Sequence, residues 1–123
     1  MTTRIMDGGD TLIEVLNANG VEYIFASPGS EWPPLWEALS RRKAEGEKAP
    51  EYITCRHEAL AVGAAAGYYR STGKLPAVVM HTTVGTVNAA TALRGSLHDG
   101  TPMVVVSGES IGYGDMPGKD PGS

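Results

Sequence analysis

The sequence predicts an α/β fold, a parallel β-sheet with helices on both faces. Three observations lead there. Helical and β-rich stretches alternate in the order helix, then strand and helix three times, then strand; that alternation implies right-handed crossovers and parallel strands. The run Pro76-Ala77-Val78-Val79-Met80-His81 is apolar along most of its length, the texture of a strand buried on both faces. Glycines Gly20, Gly73 and Gly100 fall where three helical patterns stop, as C-terminal helix signals should.

The first helix is expected over 10–19. Leu12, Ile13, Val15 and Leu16 supply its apolar positions, and Asp10 or Thr11 its cap. Residues 21–25, rich in Val, Tyr, Ile and Phe, form the first expected strand. A turn, Ala26 to Ser30, leads into a second helix over 31–43, with Ser30 as candidate N-cap and Pro33-Pro34 in the first turn, where a missing N–H costs little. Residues 43–50 read as a solvated connector. The second strand is expected over 51–54. The helix after it opens at His57-Glu58 and has a body of small residues, Ala59, Ala61, Gly63, Ala64, Ala65, Ala66 and Gly67. Side chains this small permit close approach to a neighbour. The third strand covers 76–81 and residues 82–86 form its turn. A helix over 87–98 and a strand over 101–107 complete the pattern. Beyond residue 108, Gly112, Gly114, Pro117, Gly118, Pro121 and Gly122 crowd a polar tail with no apolar period, which reads as a loop or linker.

A chain of 123 residues is one domain at most, with 41% hydrophobic and 20% charged residues, as in ordinary globular domains. A net charge of −4, with no basic cluster beyond Arg41-Arg42-Lys43, argues against a nucleic-acid surface. Those three cations suit a helix end. One cysteine excludes an internal disulfide and gives no metal-ligand spacing. Cys55 reads as a packing residue; its neighbours Arg56 and His57 keep a reactive thiol as the lesser alternative. No signal-peptide core and no membrane-spanning run is present, so a cytoplasmic protein without membrane partners is the expectation.

Three loops follow strands and should gather at one edge of the sheet, where ligands of open α/β folds bind. They are Ser27-Pro28-Gly29-Ser30, Arg56-His57-Glu58, and His81 through Thr86. Neither a dinucleotide-type nor a P-loop glycine fingerprint occurs among them. Taken by themselves these residues have two readings each. Glu58 is a first-turn acid favoured by the helix dipole, or a general acid or base at a site's rim. His81 is a satisfied structural histidine or a proton carrier. Ser30 is a helix cap or a substrate contact, and Asn88 is an unremarkable first-turn amide or a pocket residue.

Arg56-His57-Glu58, with Ala61, Ala65-Ala66-Gly67-Tyr68, Arg70 and Thr72-Gly73-Lys74, resembles the R-H-E-x-x-A-x-x-x-A-x-G-Y-A-R-x-T-G-K segment of the thiamine-diphosphate-dependent decarboxylases and carboligases. That family includes acetolactate synthase, pyruvate oxidase and benzoylformate decarboxylase. The match runs from about Asp10 to Gly108 with its motifs in order, and it is similar to the N-terminal pyrimidine-binding domain. The stretch from His81 through Gly85-Thr86, Asn88 and Ala89 is similar to the H-S-A-A-G-T-G-N-A of benzoylformate decarboxylase. Acetolactate synthases carry T-S-G-P-G-A-T-N there, and this chain has Thr83 and Val84 in place of that Gly and Pro.

The resemblance implies a role for several residues. Glu58 matches the glutamate that shares a proton with the aminopyrimidine ring of thiamine diphosphate, a role that partial burial favours. His81 and Ser30 match groups facing a 2-oxo acid substrate, while Pro28, Gly85 and Asn88 fall with Glu58 in the cofactor pocket. The resemblance further implies decarboxylation or carboligation of 2-oxo acids and a homodimer or homotetramer with its site shared between subunits. The Ala59–Gly67 stretch would then lie at a subunit contact or against the sheet. Mg²⁺ would be held by a G-D-G motif on another domain; FAD, carried by some members, stays open. No metal ligand is assigned in this chain. The family's domain continues with a further helix–strand–helix portion, so residues 1–108 read as a truncated pyrimidine-binding domain and 109–123 as a linker to a missing portion. The alternative is a non-catalytic binding or regulatory module that kept the fold.

Overall fold

The computed structural model describes residues 5–109; the linker expected beyond Gly108 therefore falls almost wholly outside the described residues. Four helices and four strands alternate: α1 (Gly8–Ala18), β1 (Tyr23–Ser27), α2 (Pro33–Glu45), β2 (Glu51–Thr54), α3 (Glu58–Thr72), β3 (Ala77–Met80), α4 (Thr82–His98) and β4 (Val104–Ser107). The sheet is parallel throughout, in the order β2-β1-β3-β4. Phe25 stands opposite Ile53 on one side and Val78 on the other, and Val78 opposite Val105.

Side-chain alternation along the strands sorts the core into two layers. Ile24 and Ala26 of β1, with Ala77 and Val79 of β3, face Ile13 and Leu16 of α1 and Leu35 and Ala38 of α2. Phe25, Val78 and Met80 face the other way, against Ala61, Val62 and Ala65 of α3 and Ala89 of α4. Helices therefore cover both faces, as expected. Burying each of Ile13, Leu16, Ile24 and Leu35 contributes roughly 1.5–3 kcal/mol relative to exposure.

The small-residue helix serves the sheet with one stripe only. Ala61, Val62, Ala65 and Ala66 are buried, whereas Leu60, Gly63, Ala64 and Gly67 face outward. Val84, Val87 and Leu97 of the neighbouring α4 are also exposed.

Element boundaries depart from expectation where tertiary contacts set them. Helix α1 starts at Gly8, before Asp10, because Asp7 is the N-cap and accepts from the Asp10 N–H at 2.8 Å. Gly9 sits so close to α2 that a Cβ there would lie 2.3 Å from the Pro34 carbonyl oxygen. Asp10, freed from capping, is buried and takes Arg41 at 2.8 Å and Arg42 at 3.4 Å. The arginines thus tie α2 to α1, and Arg42 is itself buried. Strand β1 begins two residues late because the Val21 N–H returns to the Leu16 carbonyl at 3.0 Å. In the same way the Thr101 N–H bonds the Ser96 carbonyl, and β4 starts only at Val104.

Two corrections bear on the site. Ser30 is not the cap of α2: the helix begins at Pro33, its N-cap is Trp32, and no side chain caps it. Trp32 is held instead by its indole N–H, which donates to the Met80 carbonyl at 3.1 Å. Residues 82–86 are not a turn but the first turn and more of α4, which starts directly after His81.

Candidate functional site

Strand order 2-1-3-4 reverses direction between β1 and β3, so the crevice beyond their carboxyl ends is the topological switch point where open α/β sheets bind ligands. Residues 28–31 leave β1 there and His81 leaves β3. The loop after β2 arrives beside them, held by the Cys55 N–H donating to the Ala26 carbonyl at 2.7 Å.

Glu58 is the first residue of α3 and is buried, 8% exposed. It does not cap its own helix. His57 does so: its backbone is extended and its Nδ1 accepts the Ala59 N–H at 3.1 Å. Capping by His57 frees the Glu58 carboxylate to reach across to α4. There the Asn88 side-chain amide donates to Glu58 Oε2 at 3.3 Å. Oε1 lies over Gly85, where an added Cβ would stand 3.1 Å from that oxygen and 3.4 Å from His81 Cβ. Glycine within a helix costs up to about 1 kcal/mol relative to alanine, and here, one turn into α4, its bare face makes room for the carboxylate. Glu58, Gly85, Asn88 and His81 are thus brought together. A buried carboxylate with one oxygen anchored and the other beside a glycine can pass a proton to, or take one from, a ring nitrogen placed against it.

A second carboxylate, which sequence reasoning missed, is the most heavily engaged acid of the site. Glu31 has a side chain only 2% exposed; its Oε2 lies 2.7 Å from His81 Nδ1 and its Oε1 accepts the Thr82 N–H at 3.3 Å. Burial pushes this carboxyl up, but its own backbone N–H, His81 and the Thr82 N–H outweigh that and hold it below the ordinary carboxylate range. Glu31 also explains why α4 starts early. His81, at the N-cap position, makes no capping bond; a carboxylate from the β1–α2 loop takes over that duty, favoured by the helix dipole. Thr82, the residue so held, has a positive φ of 30°, uncommon for a β-branched side chain. Nothing in the local pattern around Ser30-Glu31-Trp32 marks the acid, because its partners lie 50 and 51 residues away.

Of the other predicted site residues, Pro28 is half-buried in the same loop and Ser30 is exposed. Gly29, between them, lies against the His81 ring. Cys55 packs with the α3-side core. No group of three or more His, Cys, Asp or Glu side chains among the described residues is arranged to hold a metal. The groove lined by Leu39, Lys43, Ala49 and Tyr52 lies at the opposite end of the sheet from these loops.

Comparison with known proteins identifies the family of the chain. A family model described as "Thiamine pyrophosphate enzyme, N-terminal TPP binding domain" covers residues 6–114. The acetolactate synthase large subunit of Haemophilus influenzae is 35% identical over 104 residues, covering 85% of this chain and 17% of that protein. The corresponding subunit of Buchnera aphidicola subsp. Schizaphis graminum is 37% identical over 114 residues, covering 89% and 19%. The chain thus spans less than a fifth of the length of these relatives. Among solved structures, a provisionally assigned thiamin diphosphate-dependent enzyme from Mycobacterium smegmatis superposes with a TM-score of 0.70 at 27% identity, over 89% of this chain and 20% of the other. Benzoylformate decarboxylase from Polynucleobacter necessarius shares the fold, with a TM-score of 0.69 at 23% identity over 88% and 19%.

Proposed function

The chain belongs to the thiamine pyrophosphate enzymes, as their N-terminal TPP binding domain, and from that premise we propose that it supplies the aminopyrimidine half of a site that decarboxylates or ligates 2-oxo acids. When bound, thiamine diphosphate contributes a carbon nucleophile and an electron sink for the bond broken next to the carbonyl.

The observation that carries this reading is the Glu58 carboxylate. It is buried at a strand–helix junction, anchored through Oε2 by Asn88 and left beside the bare face of Gly85 at Oε1. An aminopyrimidine ring fits such a carboxyl because it offers a ring nitrogen that can share one proton with it. Asn88 holds the carboxylate, and Gly85 keeps clear the space beside it. His81, at the next loop, presents an imidazole to the same crevice and can move a proton on the substrate side. Ser30, released from any capping duty, is exposed at that mouth and available to a substrate carboxylate. In this reading the diphosphate and Mg²⁺ are held by a domain other than this one, as the resemblance to the family implies.

Glu58→Gln in the full protein that carries this chain tests the assignment. The amide keeps the shape but cannot give up a proton, so turnover should fall at least 10²-fold, the scale of a lost acid–base group, with thermal stability nearly unchanged. Near-normal turnover in that variant would overturn the reading and favour a module that kept the fold for binding alone.

A further inference from the structure

We propose that Glu31 is a positioning residue: it fixes His81 as the tautomer protonated on Nδ1, so that Nε2 is the atom left to exchange a proton with the substrate. The contact is between a carboxylate oxygen and Nδ1 at 2.7 Å. A carboxylate accepts only, so the proton of a neutral imidazole must sit on the nitrogen facing it. The other carboxylate oxygen is committed to the Thr82 N–H, which stops the group from rotating away. His81 retains 40% side-chain exposure, whereas the Glu31 side chain that meets its Nδ1 is only 2% exposed.

The surroundings are shaped for this pair. A Cβ at Gly29 would fall 1.9 Å from His81 Nδ1, and a Cβ at Gly108 would fall 2.3 Å from Glu31 Cγ. Two glycines from separate loops, after β1 and after β4, therefore lie tightly against the ring and the carboxylate. Any side chain at either position would displace one partner. A proton taken up at Nε2 makes an imidazolium whose charge the Glu31 carboxylate balances directly. When Nε2 gives that proton back, the ring returns to the same tautomer.

The kinetic consequence rests on the reading of His81 as a substrate-facing group; the tautomer itself does not. The test uses the full protein that carries this chain, labelled with ¹⁵N-histidine. Two-bond ¹H–¹⁵N correlations identify the protonated nitrogen of His81, assigned by its loss in His81→Asn. The wild type should show the Nδ1–H form. In Glu31→Gln the single carbonyl oxygen is drawn to the obligatory Thr82 N–H donor, the amide NH₂ then donates to Nδ1, and the ring should switch to the Nε2–H form. Turnover should fall about 10- to 100-fold with KM little changed, and Glu31→Asp should restore part of both signals. Gly108→Ala, which crowds Glu31 without removing its charge, is a second route to the same switch. A wild-type ring protonated on Nε2, or an unchanged tautomer in Glu31→Gln, overturns the proposal. A tautomer switch in a protein with no thiamine-dependent turnover would instead sustain the positioning role and defeat the proposed function.

Discussion

At the scale of the residue, the site depends on which side chains are spared from routine work. Glu58 reaches across to Asn88 because His57 caps α3 in its place. Ser30 is exposed and has no capping duty, since α2 begins at Pro33 with Trp32 as its N-cap. Gly85 is the sharpest instance. Its position inside α4 is unfavourable for a helix, so Gly85→Ala should raise or leave unchanged the melting temperature, by an amount on the order of 1 kcal/mol in stability. The added methyl would press on Glu58 Oε1 at 3.1 Å, and turnover should fall by 10-fold or more. Thermal melts and steady-state kinetics on the same preparation check this. Loss of stability and activity together would assign Gly85 to packing alone. Glu58, Asn88 and His81 were legible in the sequence because their motif spacing survives; Glu31 was not, because its meaning comes from residues that only the folded sheet brings near.

At the scale of the element, type and order were legible throughout, and boundaries failed where a partner from elsewhere sets them. Helix α1 starts at Gly8, ahead of the expected residue 10, and Gly9 is what lets it lie against Pro34. Val21 and Thr101 look like strand residues but spend their N–H groups on the preceding helix ends. The start of α4 is the case with functional weight, since Glu31 supplies the cap that His81 lacks. Its carboxyl titrates below the ordinary value of 4.5 in the folded chain, so the stability it contributes is fully present above about pH 4.5 and is lost as pH falls through the lower folded value. Glu31→Gln should therefore be less stable than wild type at neutral pH, with the gap narrowing as the solution is acidified below that point. Denaturant unfolding at several pH values measures it; a gap that stays constant into the acid range would show that the carboxylate charge does not hold α4.

At the scale of the whole molecule, the parallel order β2-β1-β3-β4 is what makes a site of scattered residues. It puts the ends of β1 and β3 side by side, and with them Glu31 and His81, while the loop after β2 carries Glu58 alongside. The alternating pattern and the apolar third strand made this architecture readable from the sequence, and the family comparisons agree with it. In the proposed role Glu58 activates thiamine diphosphate, and proton exchange at the cofactor's thiazolium carbon reports on that step without requiring the substrate to be known. The measurement is deuterium exchange at that carbon on the full protein with Mg²⁺ present, wild type beside Glu58→Gln. Exchange should be far faster than in free cofactor for the wild type, and that acceleration should collapse in the variant. Equal rates in the two folded proteins, or no acceleration in either, would contradict it.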